Sequence, residues 1–563
     1  MKTLSGLDAT FLYLETPETP MHVGSLHLYE LPKGFKGSFH KAVQAHLAKR
    51  VHLAPIFTRR LATMPLNMGH PAWVETDHLD LDHHIRKVKG TLTVRQAEAM
   101  AATLHGQLID RAHPLWEFHV FDHIVPPPDM AIKGRLVAFY SKIHHAALDG
   151  KGGTVLANAV LDLSATPREV PPPDPAHRRR TAGDLKIGEM IGAVFSNSLA
   201  QYAKLAKALP SAASSLGGSV VRQSIKGGGK GVTSVRPKSP LKLAPRTVFN
   251  VGITSERVFA TASLPFAECK AMAKVVGGSF NDIVLWLCST ALRTYLQQHA
   301  TLPAKPLVAA MPVSLREESN KELNNQASMS LVDLGTHLAD PLKRMNAITA
   351  STTKVKTALV SLKGVLPTDY PSLLAPWIVG RAARAALKAY GSGSLAERLP
   401  AVANLAISNV PGPQVPLYLA GARMLTFHPL SIVMHGLALN ITVQTYAGSV
   451  DFGLIADKKA VPHVQDLATA LEAAFEEAQK LYALSQPQAA DSVLTTKASV
   501  TKVTQTKRRP SKPGVSKALK PLKAGTVTDS KTTTKKSSDG NGSRATQPPV
   551  RKSSPPKSRA ARA

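Results

Sequence analysis

Apolar positions along the first 165 residues recur at two periods, so short strands and amphipathic helices alternate there. Residues 21–29 (MHVGSLHLY) alternate as a half-buried strand does, while 39–51 and 94–109 carry a helical period. RAHPLW at 111–116 breaks the second helix and leads into a strand over 117–124. Residues 136–143 (LVAFYSKI) contain no Gly or Pro and predict a buried strand. Gly150, Gly152 and Gly153 end that run, and 154–163 reads as the following helix. The alternation resumes at 247 and lasts to about 484. Asn281-Asp282 opens the apolar helix IVLWLCSTALRTYL, with Asn281 as its expected N-cap. Strands are expected over 307–312 and 403–410, then a hairpin of 436–446 and 449–455 around Ala447-Gly448. A helix over 461–484 closes the patterned region.

Between and beyond these regions the pattern changes. Pro171-Pro172-Pro173, Arg178-Arg179-Arg180 and Gly227-Gly228-Gly229 bracket one amphipathic stretch, 185–209. Its stripe of Ile187, Ile191, Val194, Leu199, Tyr202, Leu205 and Leu209 suits either a crossover helix packed on the body or an interfacial membrane helix. After 486, Lys, Ser, Thr and Pro dominate and aromatics vanish, which predicts disorder. The expected organisation is therefore an α/β domain at 1–165, a basic linker at 166–246, a second α/β domain at 247–486 and a tail at 487–563.

Charge sharpens this division. The net charge is +31, yet residues 491–563 hold 18 Lys and Arg against 3 Asp and Glu, and residues 171–246 hold 13 against 3. The patterned body is nearly ordinary, so the basic segments point to an anionic surface rather than to a basic catalytic groove. Lys-rich disorder also binds nucleic acid, but without interleaved aromatics the tail lacks a stacking platform. Two cysteines, Cys269 and Cys288, lack metal spacing and suit a reducing compartment. The N-terminus lacks a signal-peptide core, and no window reaches 18 uninterrupted apolar residues. The expected location is cytoplasmic, with the basic segments drawn to an anionic surface.

The chemistry concentrates where the 136–143 strand ends, at His144-His145-Ala146-Ala147-Leu148-Asp149-Gly150. Side chains at a strand end are rigidly held yet project from the rim. An imidazole there can take a proton from an alcohol attacking a thioester. Asp149 could either orient that ring or lock the turn. Metal binding by His144, His145 and Asp149 is disfavoured, because neighbours on a strand point to opposite sides. A second pair, His83-His84, has neither an Asp nor a Gly at the matching spacing and reads as structural. Pro114-Leu115-Trp116 reads as a buried corner filled by Trp116. Ser408 lacks the GxSxG turn of an activated serine.

Taken together, these motifs resemble the bacterial wax ester synthase/diacylglycerol acyltransferase family, within the CoA-dependent acyltransferases. The resemblance spans about 4–484: LSGLDATFLYLETPETPMHVG at 4–24, PLWE at 114–117, HHAALDG at 144–150, FNDIVL at 280–285, MPVSLR at 311–316, SNVPGP at 408–413 and LNITVQTYAGSVDFGLIAD at 439–457. Gly6 stands where the family more often has Pro. The tail and the triple glycine have no counterpart. Other HHxxxDG condensing catalysts lack the PLW, ND and SNVPGP set; a non-catalytic lipid-droplet surface protein is the other alternative.

The resemblance implies two chloramphenicol-acetyltransferase-like halves with the active site between them. It implies a long-chain acyl-CoA as co-substrate, a fatty alcohol or diacylglycerol as acceptor, and no cofactor; with such lipid substrates the basic segments are expected to attach the protein peripherally to the inner membrane and lipid droplets. His145 would be the general base with His144 beside it, while Asp149 and Gly150 shape the turn. Asn281, Asp282, Glu15, Ser408 and Asn409 would lie around the substrate. Asp149 is expected to pair with Arg316.

Overall fold

A computed structural model describes residues 2–62, 70–76, 78–148, 152–173, 243–314, 327–362, 385, 389–391 and 395–485. Asp149, Gly150, Arg316, the expected helix over 185–209 and the tail lie outside the described residues. The described residues all fall within one compact unit, Met1–Ala490.

The N-terminal half is built from α1 (Gly6–Leu14), β1 (His22–Glu30), α2 (Phe39–Ala48), β2 (Ile85–Val88), α3 (Val94–Gly106), β3 (Trp116–Phe121), β4 (Leu136–His144) and α4 (Gly152–Val160). Helix starts are capped locally: Ser5 accepts from the Asp8 N–H, and Thr93 with Gln96 forms a capping box. The C-terminal half supplies β5 (Arg257–Pro265), α5 (Phe266–Val275), α6 (Phe280–His299), β6 (Val308–Ser314), β7 (Ala327–Asp333), α7 (Pro341–Leu362) and β8 (Leu405–Val410). It continues through β9 (Tyr418–Leu419), β10 (Ala422–Leu430), β11 (Leu439–Tyr446), β12 (Ser449–Asp457) and α8 (Val464–Ser485). The cap of α6 is Ser279 rather than Asn281. Ser279 Oγ accepts from the Asp282 N–H, and the Ser279 N–H donates to Asp282 Oδ2 at 2.7 Å. A serine with an acid three residues on satisfies two orphan donors, which an asparagine inside the first turn cannot do.

Two six-stranded sheets organise the halves, in the orders β9-β10-β1-β4-β3-β2 and β5-β12-β11-β8-β6-β7. Division of the chain at 165 and 247 does not separate them, because the C-terminal half lends β9 and β10 to the N-terminal sheet. Strand β10 pairs with β1 from Arg423↔Glu30 to Leu430↔Gly24. It also crosses β12 so closely that a Cβ on Gly453 would sit 1.7 Å from the Pro429 carbonyl oxygen. Asp451 of β12 accepts from the Phe427 N–H at 2.7 Å. Strand β1 is buried on both faces rather than half-buried. Leu26 and Leu28 pack with Ala97, Phe259 and Ile455, and Tyr29 packs with Phe39 and Phe139. A shared cluster drawn from both halves thus fixes one half against the other.

Candidate active site

Strand β4 ends in the histidine pair, and its period of two decides which way each ring goes. Tyr140, Lys142 and His144 share one face. The Tyr140 hydroxyl meets His105 Nδ1 at 2.8 Å. Lys142 donates to the Leu104 and Gln107 carbonyls and lies 2.9 Å from Glu117. His144, fully buried, accepts the Ala146 N–H on Nδ1 at 3.0 Å. In the neutral ring its proton therefore sits on Nε2, 3.1 Å from Glu15 Oε2.

Glu15, just past α1, is the hub of this layer. Oε1 accepts from Arg111 Nε and Nη2 at 3.1 and 2.7 Å, and Oε2 accepts from the Met21 N–H at 3.2 Å. His22 Nε2 stands 3.3 Å away. Burial alone would raise the Glu15 carboxyl, but His144 and Arg111 outweigh it and hold the group below its usual range. His22 is pushed far down by burial, then by the neighbouring His105 and Lys142, and stays neutral. The resemblance grouped Glu15 with the substrate, yet its carboxylate is occupied by protein donors beneath the motif.

His145 points the other way. It opens a 3-10 turn, His145–Ala147, whose backbone is pinned on both sides. The His144 N–H donates to the Leu115 carbonyl at 3.0 Å and the His145 N–H to the Met21 carbonyl at 2.8 Å. Its ring is half-buried and stacks on Phe11, with centroids 4.0 Å apart and planes 17° apart. Nδ1 is sealed from water with no hydrogen-bond partner. Burial, helped by His144, pushes this imidazole down to about 4, so it is neutral at physiological pH.

The other sequence-marked residues fall into three groups. Pro114, Leu115 and Trp116 form a buried corner. Leu115 receives His144, and Trp116 donates to the Phe57 carbonyl and stacks on His84 at 4.2 Å. His84 is thereby committed to packing, since its Nδ1 also meets the Trp116 carbonyl at 2.8 Å, and His83 stacks on His113 at 3.9 Å. Asp282 spends its carboxylate on Ser279 and on the Thr352 hydroxyl, inside the C-terminal half; Asn281 beside it is half-buried. Ser408 and Asn409 are half-buried on β8, opposite Thr442 and Val443 of β11. Among the described residues, the group spaced for a metal is exposed His299, His463 and Asp466, apart from the motif. Its two rings stack at 18°, so their in-plane lone pairs do not converge. Sequence reasoning missed Phe11, Met21, His22 and Arg111. Phe11, Met21 and His22 entered only within the 4–24 stretch that carries the resemblance, with no role of their own, and Arg111 only within the helix break at 111–116.

Known proteins resemble this chain over most of its described length. Residues 4–284 match the family model described as wax ester synthase/diacylglycerol acyltransferase catalytic domain, and 323–479 match the WS/DGAT C-terminal domain. A Mycobacterium tuberculosis protein named as a diacylglycerol O-acyltransferase is 33% identical over 490 residues, covering 85% of this chain and 100% of the relative. The O-acyltransferase WSD of Acinetobacter baylyi is 32% identical over 478 residues, covering 84% and 96%. Among solved structures, the wax ester synthase/diacylglycerol acyltransferase from Marinobacter aquaeolei VT8 matches with a TM-score of 0.58 at 28% identity, covering 86% of this chain and 100% of that one. The expected fold class, α/β in two halves, is the one observed. On motif order, fold and these matches, the chain belongs to the wax ester synthase/diacylglycerol acyltransferase family.

Proposed function

We propose that this protein is an O-acyltransferase that moves a long-chain acyl group from acyl-CoA to a fatty alcohol or a diacylglycerol. The observation that carries the reading is His145, neutral and held on a pinned turn at the end of β4. With Nδ1 sealed, Nε2 is the atom left for proton transfer. It accepts the hydroxyl proton as the alcohol oxygen bonds to the thioester carbonyl carbon. The C–S bond then breaks, and the imidazolium returns the proton to the departing sulfur, giving ester and free CoA. A base at about 4 is weak, but negative charge growing on the oxyanion and thiolate raises its proton affinity as the reaction proceeds. Thiolate is already a good leaving group, so the reaction needs no cofactor and no serine or cysteine nucleophile.

The substrates are membrane-resident or micellar, and the described residues contain no single helix long and apolar enough to cross a bilayer. The basic segments 171–246 and 491–563 would hold the enzyme peripherally on the anionic inner membrane and nascent lipid droplets. Two measurements test the proposal. Supplying one acyl-CoA with hexadecanol and with diacylglycerol should yield ester from at least one acceptor; no product from either refutes it. Deleting 491–563 should weaken binding to anionic vesicles at low salt while sparing turnover of detergent-dispersed substrate. Undiminished binding removes the tail as anchor and makes a nucleic acid its candidate partner.

A further inference from the structure

Something must orient the His145 ring, and no hydrogen bond at Nδ1 does so. The one ring contact described is Phe11, face to face at 4.0 Å. Phe11 lies on α1, which packs over the 3-10 turn through Ala9 and Leu12 against Ala146. The C-terminal end of that helix is clamped by Arg111, which donates to the Leu12 carbonyl at 3.0 Å. Glu15 follows Phe11 by four residues, so the two project about one helical turn apart. Phe11 meets His145 while Glu15 meets His144: one helix and the residue that caps its C-terminal end serve both members of the pair.

We propose that Phe11 is a positioning residue of acyl transfer, the flat support that sets the plane of the His145 imidazole. The inference rests on His145 being the base. The stack holds the neutral ring in one plane before reaction, replacing the acid that fixes such a ring elsewhere. As the ring becomes imidazolium, the negative face of the Phe11 π-system stabilises it more than it stabilised the neutral ring. The contact therefore strengthens toward the transition state, and its loss should appear in kcat and not in KM. Among the described residues, the titratable and charged groups near the turn are His144 and, beyond it, Glu15 with Arg111, while the ring stacked on His145 is Phe11.

The test compares Phe11→Leu, which keeps apolar volume but loses the flat face, with Phe11→Tyr, which keeps the face. Full-length protein is assayed for kcat, KM and melting temperature, with His145→Ala in parallel. Site-resolved diethyl pyrocarbonate labelling of His145 supplies a readout independent of turnover. Phe11→Leu should lower kcat about tenfold with KM within about twofold, label faster at His145, and melt as the wild type does. Phe11→Tyr should restore kcat. Equal kcat in the Leu and Tyr variants, or a loss that merely follows melting temperature, overturns the proposal. If Phe11→Leu labels faster but turns over normally while His145→Ala is dead, the positioning role alone fails. If His145→Ala stays active, the base assignment fails instead.

Discussion

Replacing Glu15 with Gln removes one charge from the layer beneath the histidines and almost no volume. The carboxylate now accepts two bonds from Arg111 and one from Met21, and faces the Nε2 proton of His144. An amide cannot do all of this. With its NH₂ toward Oε2 it opposes the Met21 N–H and the His144 proton; turned over, it opposes Arg111. A charge-assisted hydrogen bond contributes about 1.5–3 kcal/mol. Arg111 is 40% exposed and rehydrates easily, which discounts its share. A net loss of about 2 kcal/mol in stability is expected from urea unfolding. The larger effect is on position. His144 escapes the amide by moving its proton to Nδ1, which then confronts the Ala146 N–H and pushes the turn carrying His145. Displacing a base by around 1 Å costs up to about 10²-fold, so kcat should fall roughly 10- to 100-fold with KM little changed. CoA release from acyl-CoA, followed by thiol titration, measures this directly. A Glu15→Gln enzyme that loses stability but keeps kcat within about twofold would show that the layer does not position His145.

Burial sets three further outcomes. His27 and His105 are pushed down to about 3, and His70, His84 and His145 to about 4, chiefly by desolvation. The unfolded chain therefore takes up protons first as pH falls below about 6.5, so stability is full above that pH and drains toward pH 4. At about 1.4 kcal/mol per group per pH unit, five groups remove roughly 10 kcal/mol by about pH 5, comparable with a whole domain's stability. Cooperative acid unfolding near pH 5 is expected by circular dichroism, and a flat urea midpoint from pH 7 to 5 would contradict it. Cys269 and Cys288 are fully buried and their thiols are pushed up to about 12. Native protein should resist iodoacetamide, with both thiols reacting only in denaturant; stoichiometric labelling of active enzyme would contradict this. Gly453→Ala should cost more than about 3 kcal/mol, because its methyl collides with the Pro429 carbonyl where the two sheets cross. A loss under about 1 kcal/mol would mean that the crossing relaxes freely.

The sequence was most informative where structure is local. The strand expected over 136–143 is β4, the hairpin is β11 and β12, and the final helix is α8, each within a few residues. Strand β10 was not legible: its run, ARMLTFHPL, contains Pro429, and its partner β1 lies some four hundred residues earlier. No local period can announce such a pairing. The same holds for the site. HHAALDG marked itself by composition, but Glu15 was brought in only by resemblance and Arg111 was read as part of a helix break. Their convergence on His144 is a product of tertiary packing. The Asn281 cap failed for a different reason, since two adjacent polar segments competed for one helix start and the serine offered the reciprocal bond.

His145→Ala measured beside His144→Ala tests the central claim most directly. Wild type and both variants should be given one acyl-CoA and one acceptor, with folding checked by circular dichroism. A positioned base contributes about 10²–10⁴-fold, or roughly 3–5 kcal/mol of barrier. His145→Ala should lose turnover by that factor while remaining folded. His144→Ala should lose less activity and more stability, because it leaves Glu15 and Arg111 facing a cavity. Equal losses in two folded variants, or a His145→Ala enzyme that still forms ester at the wild-type rate, would contradict the assignment of His145 as the base.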